Sequence, residues 1–216
     1  MKKNLTEMVF ILDRSGSMSG LEKDTIGGFN GMIRRQKGLE GDALVSTVLF
    51  SAQSEVIHDR VELDRVGEMT EKEYTVGGST ALLDAIGDSV RHIRTIHRYI
   101  REEDRPEHTV FVITTDGEEN SSHRYTARQV RDMVEEQKKA GWEFLFLGAN
   151  MDAVASAGEM GVEKDRAVTF CNDAPGQALN YEVISHALED VRACGAPKRD
   201  WKRKIVEYRE SKSSRD

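Results

Sequence analysis

The sequence predicts an α/β fold: an open, mostly parallel twisted sheet of about six strands, with one antiparallel edge strand and helices on both faces. Three observations lead to this class. Short apolar runs alternate with longer segments in which apolar residues recur at helical spacing. Most of these runs are continuously apolar, as expected of strands that are covered on both faces. One neighbouring pair is separated by only a few residues, which predicts a hairpin.

The strands are expected at six places along the chain. They are predicted at residues 8–12, 43–50, 54–63, 109–113, 142–147 and 167–170. The run at 43–50 is rich in β-branched residues, which favour strands. A tight turn near residues 51–53 joins the second strand to the third, so this hairpin is expected to supply the antiparallel edge strand.

Three helices are predicted between these strands. Ser19 is expected to cap the first, because Glu22 three residues later completes a capping-box pattern. The longest helix is predicted over residues 81–103, where apolar residues form one stripe. Thr126 and Gln129 form a second capping box and open the next helix.

Two further helices follow in the last third of the chain. Asp152 is expected to cap a short helix that ends at Met160. Asp173 and Pro175 are expected to open the last helix, because an acidic N-cap and an early proline are typical of helix starts.

The composition excludes several classes of protein. The 216 residues carry 31 basic and 38 acidic side chains, a formal net charge of −7, which disfavours nucleic acid as a partner. No apolar run approaches the roughly 20 residues that span a bilayer, and the apolar stretch after Met1 is too short for a signal peptide. We therefore expect no membrane partner. Only Cys171 and Cys194 are present, so a reducing, cytoplasmic location is the expectation.

The charge changes sign near the C-terminus. Residues 198–216 contain eight basic and four acidic side chains, whereas the whole chain is acidic. We interpret residues 1–197 as one domain and residues 198–216 as a basic C-terminal tail, disordered or helical, that is solvated by its charges.

Polar segments flank the predicted strands where a ligand site is expected. Residues 13–17 (DRSGS) follow the first strand, residues 77–80 (GGST) precede the long helix, and residues 114–117 (TTDG) follow the fourth strand. In an open parallel sheet, ligands bind outside the carboxyl ends of the strands. Hydroxyl and carboxylate oxygens select Mg²⁺, with Mn²⁺ or Ca²⁺ as alternatives. Only Asp13 and Asp116 are anionic, so a bound cation stays partly unneutralised and attracts a carboxylate from another molecule.

Together the three segments resemble the metal-ion-dependent adhesion site of von Willebrand factor type A domains. The likeness spans roughly residues 5–195, and the phrases ILDRSGSM, TTDGEEN and FLGANMD are most similar to the free-standing bacterial members. The family implies a sheet with one antiparallel edge strand, in agreement with the strand pattern. The sequence has neither a long inserted helix of the integrin kind nor a disulfide pattern, so adhesion to extracellular matrix is not implied.

The resemblance also implies a role for each residue of the site. Ser15 and Ser17 would ligate the metal through their hydroxyls. Thr80 would bind the metal either directly or through water, and Asp116 would bind it in the other of these two ways. Asp13 would hold the metal largely through water and orient the serines.

The other polar residues near these segments have simpler interpretations. Glu118 and Glu119 are expected in a solvated loop, and Asp84 would favour the dipole of the long helix. His97 lies on an apolar stripe and is expected to pack at the edge of the core. His123 is interpreted as a surface histidine.

The functional hypothesis is a metal-dependent protein-binding module, not an enzyme. An Asp or Glu of an unidentified partner protein would complete the metal's ligand shell. The alternative is a Mg²⁺-dependent hydrolase or phosphoryl-transfer enzyme that uses the same metal as a Lewis acid. That alternative lacks a P-loop, a G-x-S-x-G or an Asp-x-Asp pattern, and His123 is its only nearby base. By family analogy, the partner can also be a larger ATPase-type assembly.

Overall fold

A computed structural model describes residues 1–214 of the chain and contains one six-stranded sheet. The strands are β1 (Lys2–Asp13), β2 (Asp42–Phe50), β3 (Ser54–Glu62), β4 (Pro106–Thr115), β5 (Glu143–Ala149) and β6 (Ala167–Phe170). Their order is β3-β2-β1-β4-β5-β6. All neighbouring strands run parallel except β2 and β3, which are antiparallel. The predicted fold class is confirmed, with β3 as the antiparallel edge strand.

Helices cover both faces of the sheet. They are α1 (Glu22–Lys37), α2 (Leu82–Tyr99), α3 (Ala127–Lys139), α4 (Ala153–Glu159), α5 (Ala174–Cys194) and α6 (Arg203–Ser213). Phe10 of β1 faces a core built with α1, α5 and α6, while its neighbour Ile11 faces a core built with α2, α3 and α4. This alternation follows from the two-residue period of a strand. Across residues 1–214, no helix is both long and apolar enough to cross a membrane.

The predicted start of the first helix is wrong. The helix begins at Glu22, with Leu21 and not Ser19 at the N-cap position. Residues 16–18 form a short 3₁₀ turn, and the backbone N–H of Ser19 donates to Gly16 O at 3.3 Å. The chain therefore completes this turn before it can enter the α-helix, and the Glu22 carboxylate accepts from Gly20 N instead.

The predicted end of the long helix is also wrong. α2 stops at Tyr99, because Ile100 is extended and residues 102–104 form a separate 3₁₀ turn. The other predicted caps are confirmed. Thr126 and Gln129 make both hydrogen bonds of a capping box, and the Asp152 and Asp173 side chains cap α4 and α5.

The C-terminal segment contacts the body of the protein. Trp201 and Ile205 are 8% and 2% exposed and belong to the core beneath α5. The Trp201 Nε1–H donates to Asp165 O at 2.8 Å, which anchors the segment beside β6. Residues 203–213 are thus helical, and the segment is not solvated throughout because Trp201 and Ile205 pack into the core, while residues 215 and 216 lie outside the described range. The domain boundary at residue 197 stays a prediction.

A buried carboxylate that the sequence did not single out lies on β1. Glu7 is 0% exposed and accepts from Arg60 Nε and His97 Nε2, both at 2.5 Å. The His97 ring also packs edge-on against Trp142, with 5.2 Å between centroids. The expectation that His97 packs at the edge of the core is confirmed, and the ion pair with Arg60 together with the hydrogen bond from His97 explains how Glu7 tolerates burial.

The strand order places a ligand site between β1 and β4. From β1 the chain crosses to β2 on one side, while β4 lies on the other side of β1. The connections therefore leave the two central strands in opposite directions and open a crevice at their carboxyl ends. Asp13 ends β1, and Asp116 follows the last residue of β4.

Candidate metal centre

The two carboxylates at this crevice are both buried. Asp13 and Asp116 are each 2% exposed. Burial, helped by the negative charge of Asp13, raises the pKa of Asp116, and hydrogen bonds from Ser17 and Asn172 offset part of that rise. Among residues 1–214, no basic side chain is hydrogen-bonded to either carboxylate. Two buried carboxylates are unfavourable by themselves, and a cation between them would relieve this cost.

Asp13 organises the loop that follows β1. Its Oδ1 accepts from the backbone N–H of Ser15 at 2.7 Å, and its Oδ2 accepts from Thr115 Oγ1 at 2.6 Å. The Tyr74 hydroxyl donates to the Asp13 carbonyl at 2.5 Å. Asp13 thus ties the end of β1 to the end of β4 and orients the serine loop, as the resemblance implies.

The two serines extend this arrangement towards Asp116. Ser17 Oγ donates to Asp116 Oδ1 at 2.5 Å, and Ser15 Oγ lies 3.0 Å from Ser17 Oγ. A hydroxyl has a single proton, so Ser15 must be the donor in the serine pair. The three side chains form one chain of oxygen atoms along the crevice.

The loop before α2 brings Thr80 to the same place. Gly16 N donates to Gly78 O at 3.0 Å, which docks the two loops on each other. Asn120 fixes Thr80, accepting from its backbone N–H at 2.9 Å and donating to its carbonyl at 3.0 Å. A Cβ atom added to Gly117 would lie 3.4 Å from Thr80 Oγ1 and 3.5 Å from Ser17 Oγ. Both hydroxyls therefore border one small space that Gly117 leaves open.

The loop after Asp116 is more ordered than the sequence suggested. Glu118 is exposed as expected, but Glu119 accepts from Leu83 N at 2.9 Å and from Ser122 Oγ at 2.7 Å. Its carboxylate caps α2, so placing Glu119 in a solvated loop was wrong. The error arose because the helix end that it caps is distant in sequence.

Asp84 holds the far side of the same loop. Its carboxylate accepts the backbone N–H groups of His123, Arg124 and Tyr125 at 2.9–3.0 Å. Burial alone would raise the pKa of Asp84, but these three amides and the Arg124 side chain together outweigh it and hold the pKa below its ordinary value. His123 is exposed, as expected of a surface histidine.

Asn172 completes the surroundings of Asp116. Its Nδ2 donates to Asp116 Oδ2 at 2.8 Å, and its Oδ1 accepts from Gln177 Nε2 of α5 at 2.9 Å. The sequence reasoning missed both residues. A signal was present, because Asn172 follows β6 and so lies at the same carboxyl edge as the other site residues.

The donor set fits a hard divalent cation. All five predicted residues meet at this crevice and offer only oxygen atoms. The 3.0 Å between the serine oxygens is close to the roughly 2.9 Å that separates neighbouring ligands of an octahedral Mg²⁺ with bonds of 2.0–2.1 Å. Within residues 1–214, no group of three or more His, Cys, Asp or Glu residues is arranged to hold a metal. A metal at this crevice would therefore need ligands besides these residue types, and the hydroxyls of Ser15, Ser17 and Thr80 are placed to supply them.

Solved structures share this architecture at low sequence identity. A von Willebrand factor type A protein from Catenulispora acidiphila aligns with a TM-score of 0.57 and 15% identity, over 86% of this chain and 42% of that one. The von Willebrand factor domain of the type V pili tip protein Mfa5 from Porphyromonas gingivalis aligns with a TM-score of 0.57 and 10% identity, over 85% and 95% of the two chains. The chain has the von Willebrand factor type A fold.

One structure of this fold is described as containing a bound metal. Proximal thread matrix protein 1 from the mussel byssus is described with a zinc-occupied metal-ion-dependent adhesion site (MIDAS) motif. It aligns with a TM-score of 0.56 and 14% identity, over 86% of this chain and 46% of that one. This chain thus spans less than half the length of the mussel and Catenulispora chains. No protein-family model and no curated protein matches the sequence. The likeness therefore establishes the fold, and function rests on the site.

Proposed function

We propose that this chain is a metal-dependent protein-binding module, in which a divalent cation, Mg²⁺ in the cell, recruits an acidic residue of a partner protein. The observation that carries the proposal is the meeting of three hydroxyl residues and two buried carboxylates between β1 and β4. The mussel protein of the same fold, with zinc in its MIDAS motif, supports divalent metal binding in general.

Each residue has a distinct part in the proposed site. Ser15 and Ser17 would hold the metal through their hydroxyl oxygens, with Asp116 or Thr80 alongside them. Asp13 would hold the metal largely through water and orient the serine loop, in which its Oδ1 already accepts from the backbone N–H of Ser15. The bound metal would supply a local positive charge with an open position for an oxygen ligand.

The charge balance makes the cation decisive for the partner. Without metal, an approaching carboxylate would meet Asp13 and Asp116, which repel it. The adjacent basic side chain does not compensate, because Arg14 is paired with Glu55 at 2.8 Å and also donates to Glu73 O at 3.2 Å. With metal, the hydroxyl ligands add no negative charge, so the cation keeps the capacity to attract an acidic residue.

We propose binding and not catalysis as the role of this site. The alternative Mg²⁺-dependent hydrolase or phosphoryl-transfer enzyme needs a base near the metal. In the described part of the chain, the ring of His123 is exposed and takes part in no hydrogen bond, so nothing orients it for that role. A larger ATPase-type assembly remains one form that the partner can take. We keep the cytoplasm as the proposed location, consistent with two free cysteines.

A pull-down from native lysate tests the proposal. The immobilised chain is stripped of metal and then exposed to lysate in excess Mg²⁺ or in chelator. Asp116→Ala in Mg²⁺ removes the central carboxylate, and Glu118→Ala is the matched control because it removes an exposed carboxylate only two residues away.

We expect a set of proteins that is retained by the wild type and the control in Mg²⁺ only. The retained proteins should also be released when chelator is added. Equal recovery in Mg²⁺, in chelator and by Asp116→Ala would contradict the proposal.

A further inference from the structure

The carboxylate of Asp116 is held at both of its oxygens by neutral groups. Ser17 donates to Oδ1, and Asn172 donates to Oδ2 at 2.8 Å. The two donors come from opposite sides, one from the loop after β1 and the other from the loop after β6. Asn172 therefore fixes which oxygen faces the serine hydroxyls and which faces away from them.

The orientation of the Asn172 amide is determined by its neighbours. A carboxylate oxygen can only accept, so the group facing Asp116 must be the NH₂ of Asn172. Its carbonyl oxygen is then left to accept from Gln177 Nε2, at 2.9 Å. Gln177 is 2% exposed in the first turn of α5, where it has no room to turn into solvent. The three side chains form a relay from the site into the helix.

The loop that carries Asn172 is itself tightly held. Asp173 caps α5 by accepting from Gly176 N at 2.7 Å, and its own N–H donates to Cys171 O at 3.0 Å. A Cβ atom on Gly176 would lie only 2.0 Å from Cys171 O, so the turn depends on glycine at this position. Asn172 thus extends from a compact turn that leaves its backbone little freedom.

We propose that Asn172 is a positioning residue for Asp116, and that Gln177 fixes Asn172 to the start of α5. This inference rests on the proposed function, because it concerns the affinity of the same site for metal. A neutral amide suits the role: it satisfies the outer oxygen of Asp116 without adding a positive charge that would repel the cation. Groups that orient a metal ligand in this way typically contribute 10- to 100-fold to metal affinity.

The test measures the dissociation constant for Mn²⁺ by electron paramagnetic resonance, in which the signal of free Mn²⁺ falls as the ion binds. The variants are Asn172→Ala, Gln177→Ala and the double variant. Ser185→Ala is the matched control, because Ser185 is also a buried polar residue of α5, 2% exposed, and accepts a hydrogen bond from Gln36 far from the site. Thermal unfolding of each variant in chelator reports the stability of the metal-free fold.

We expect Asn172→Ala to weaken Mn²⁺ binding by about 10- to 100-fold and Gln177→Ala by a smaller factor. In the double variant, Gln177→Ala should have no further effect, because the relay is already broken. Ser185→Ala should keep the wild-type constant even if its unfolding temperature falls. A purely structural role would lower the unfolding temperature of Asn172→Ala and leave its dissociation constant unchanged.

Different results would contradict the positioning role, the relay and the proposed function. A wild-type dissociation constant in Asn172→Ala would overturn the positioning role and leave the proposed function standing. If the losses of Mn²⁺-binding free energy in Asn172→Ala and Gln177→Ala added up in the double variant, the relay through Gln177 would be overturned. The absence of Mn²⁺ binding by the wild type would overturn the proposed function, and this inference with it.

Discussion

Asp13→Asn should stabilise the metal-free protein and weaken its response to metal. The substitution keeps the shape of the side chain but removes one of two buried negative charges. Its hydrogen bonds can be kept, because the Thr115 hydroxyl can accept from the new amide and still donate to Gly117 O, 3.0 Å away. The loop geometry should therefore survive while the electrostatics change.

The sign follows from the pKa of Asp116, which is raised by burial and by the charge of Asp13. A carboxyl group with a raised pKa in the folded state costs stability once the pH rises through that pKa, so at pH 7 the charged site destabilises the metal-free fold. Neutralising Asp13 should recover about 0.5–2 kcal/mol, typical of relieving a functional site. At about 2–4 °C per kcal/mol for a chain of this size, the melting temperature in chelator should rise by about 1–8 °C.

The response to metal should move in the opposite direction. At a Mg²⁺ concentration of about 100 times the dissociation constant, the wild type gains about 2.7 kcal/mol, or about 5–11 °C. At the same concentration, Asp13→Asn should gain no more than about 2 °C, because its weakened site is far from saturated. Differential scanning calorimetry with and without Mg²⁺ measures both effects.

Asp132→Asn is the control, since it removes one exposed carboxylate from α3. A melting temperature of Asp13→Asn in chelator below that of the wild type would refute the electrostatic argument. A full Mg²⁺ shift in Asp13→Asn would refute its part in the site.

Three further predictions concern the fold and are tested by urea denaturation. Gly28→Ala should destabilise the fold by about 1–3 kcal/mol, because its Cβ would lie 2.2 Å from the Tyr181 ring. Gly27→Ala, whose Cβ would have nothing within 4 Å, should stabilise the fold by about 0.5–1 kcal/mol. Equal effects of the two substitutions would contradict close packing of α1 on α5. Trp201→Ala should cost about 3–5 kcal/mol, and an unchanged midpoint would place the C-terminal segment outside the domain. Glu7→Ala should cost about 3–5 kcal/mol because it leaves the partly buried Arg60 guanidinium without its carboxylate and removes the acceptor of His97 Nε2, and a loss below 1 kcal/mol would show that both groups rehydrate.

The topology could be predicted because local patterns and the rules of parallel sheets agree. Continuous apolar runs marked the strands, and the carboxyl-edge rule brought Asp13 and Asp116 together although they are distant in sequence. The caps at Thr126 and Asp173 were also predictable, because a capping pattern depends on neighbours within four residues. The capping-box pattern at Ser19 did not predict the helix start, because residues 16–18 form a 3₁₀ turn that ends at Ser19.

The missing parts of the site depend on contacts that no local pattern encodes. Asn172 is 56 positions from Asp116, and Asn120 is 40 positions from Thr80. In sequence each is an asparagine in a loop, a residue that ordinary turns also favour. The burial of Glu7 could not be predicted for the same reason, because its partners Arg60 and His97 come from β3 and α2, which are distant in sequence. Such residues become recognisable only when the sheet order is known.

The central claim is that the serine loop and Asp116 bind a divalent cation, and isothermal titration calorimetry of Mg²⁺ into the stripped chain tests it most directly. The account predicts saturable binding of about one ion per chain in the wild type. A double variant, Ser15→Ala with Ser17→Ala, removes both hydroxyls of the 3.0 Å pair and should show only the heat of dilution. Saturable binding of equal affinity in the double variant, or no binding in the wild type, would contradict the account.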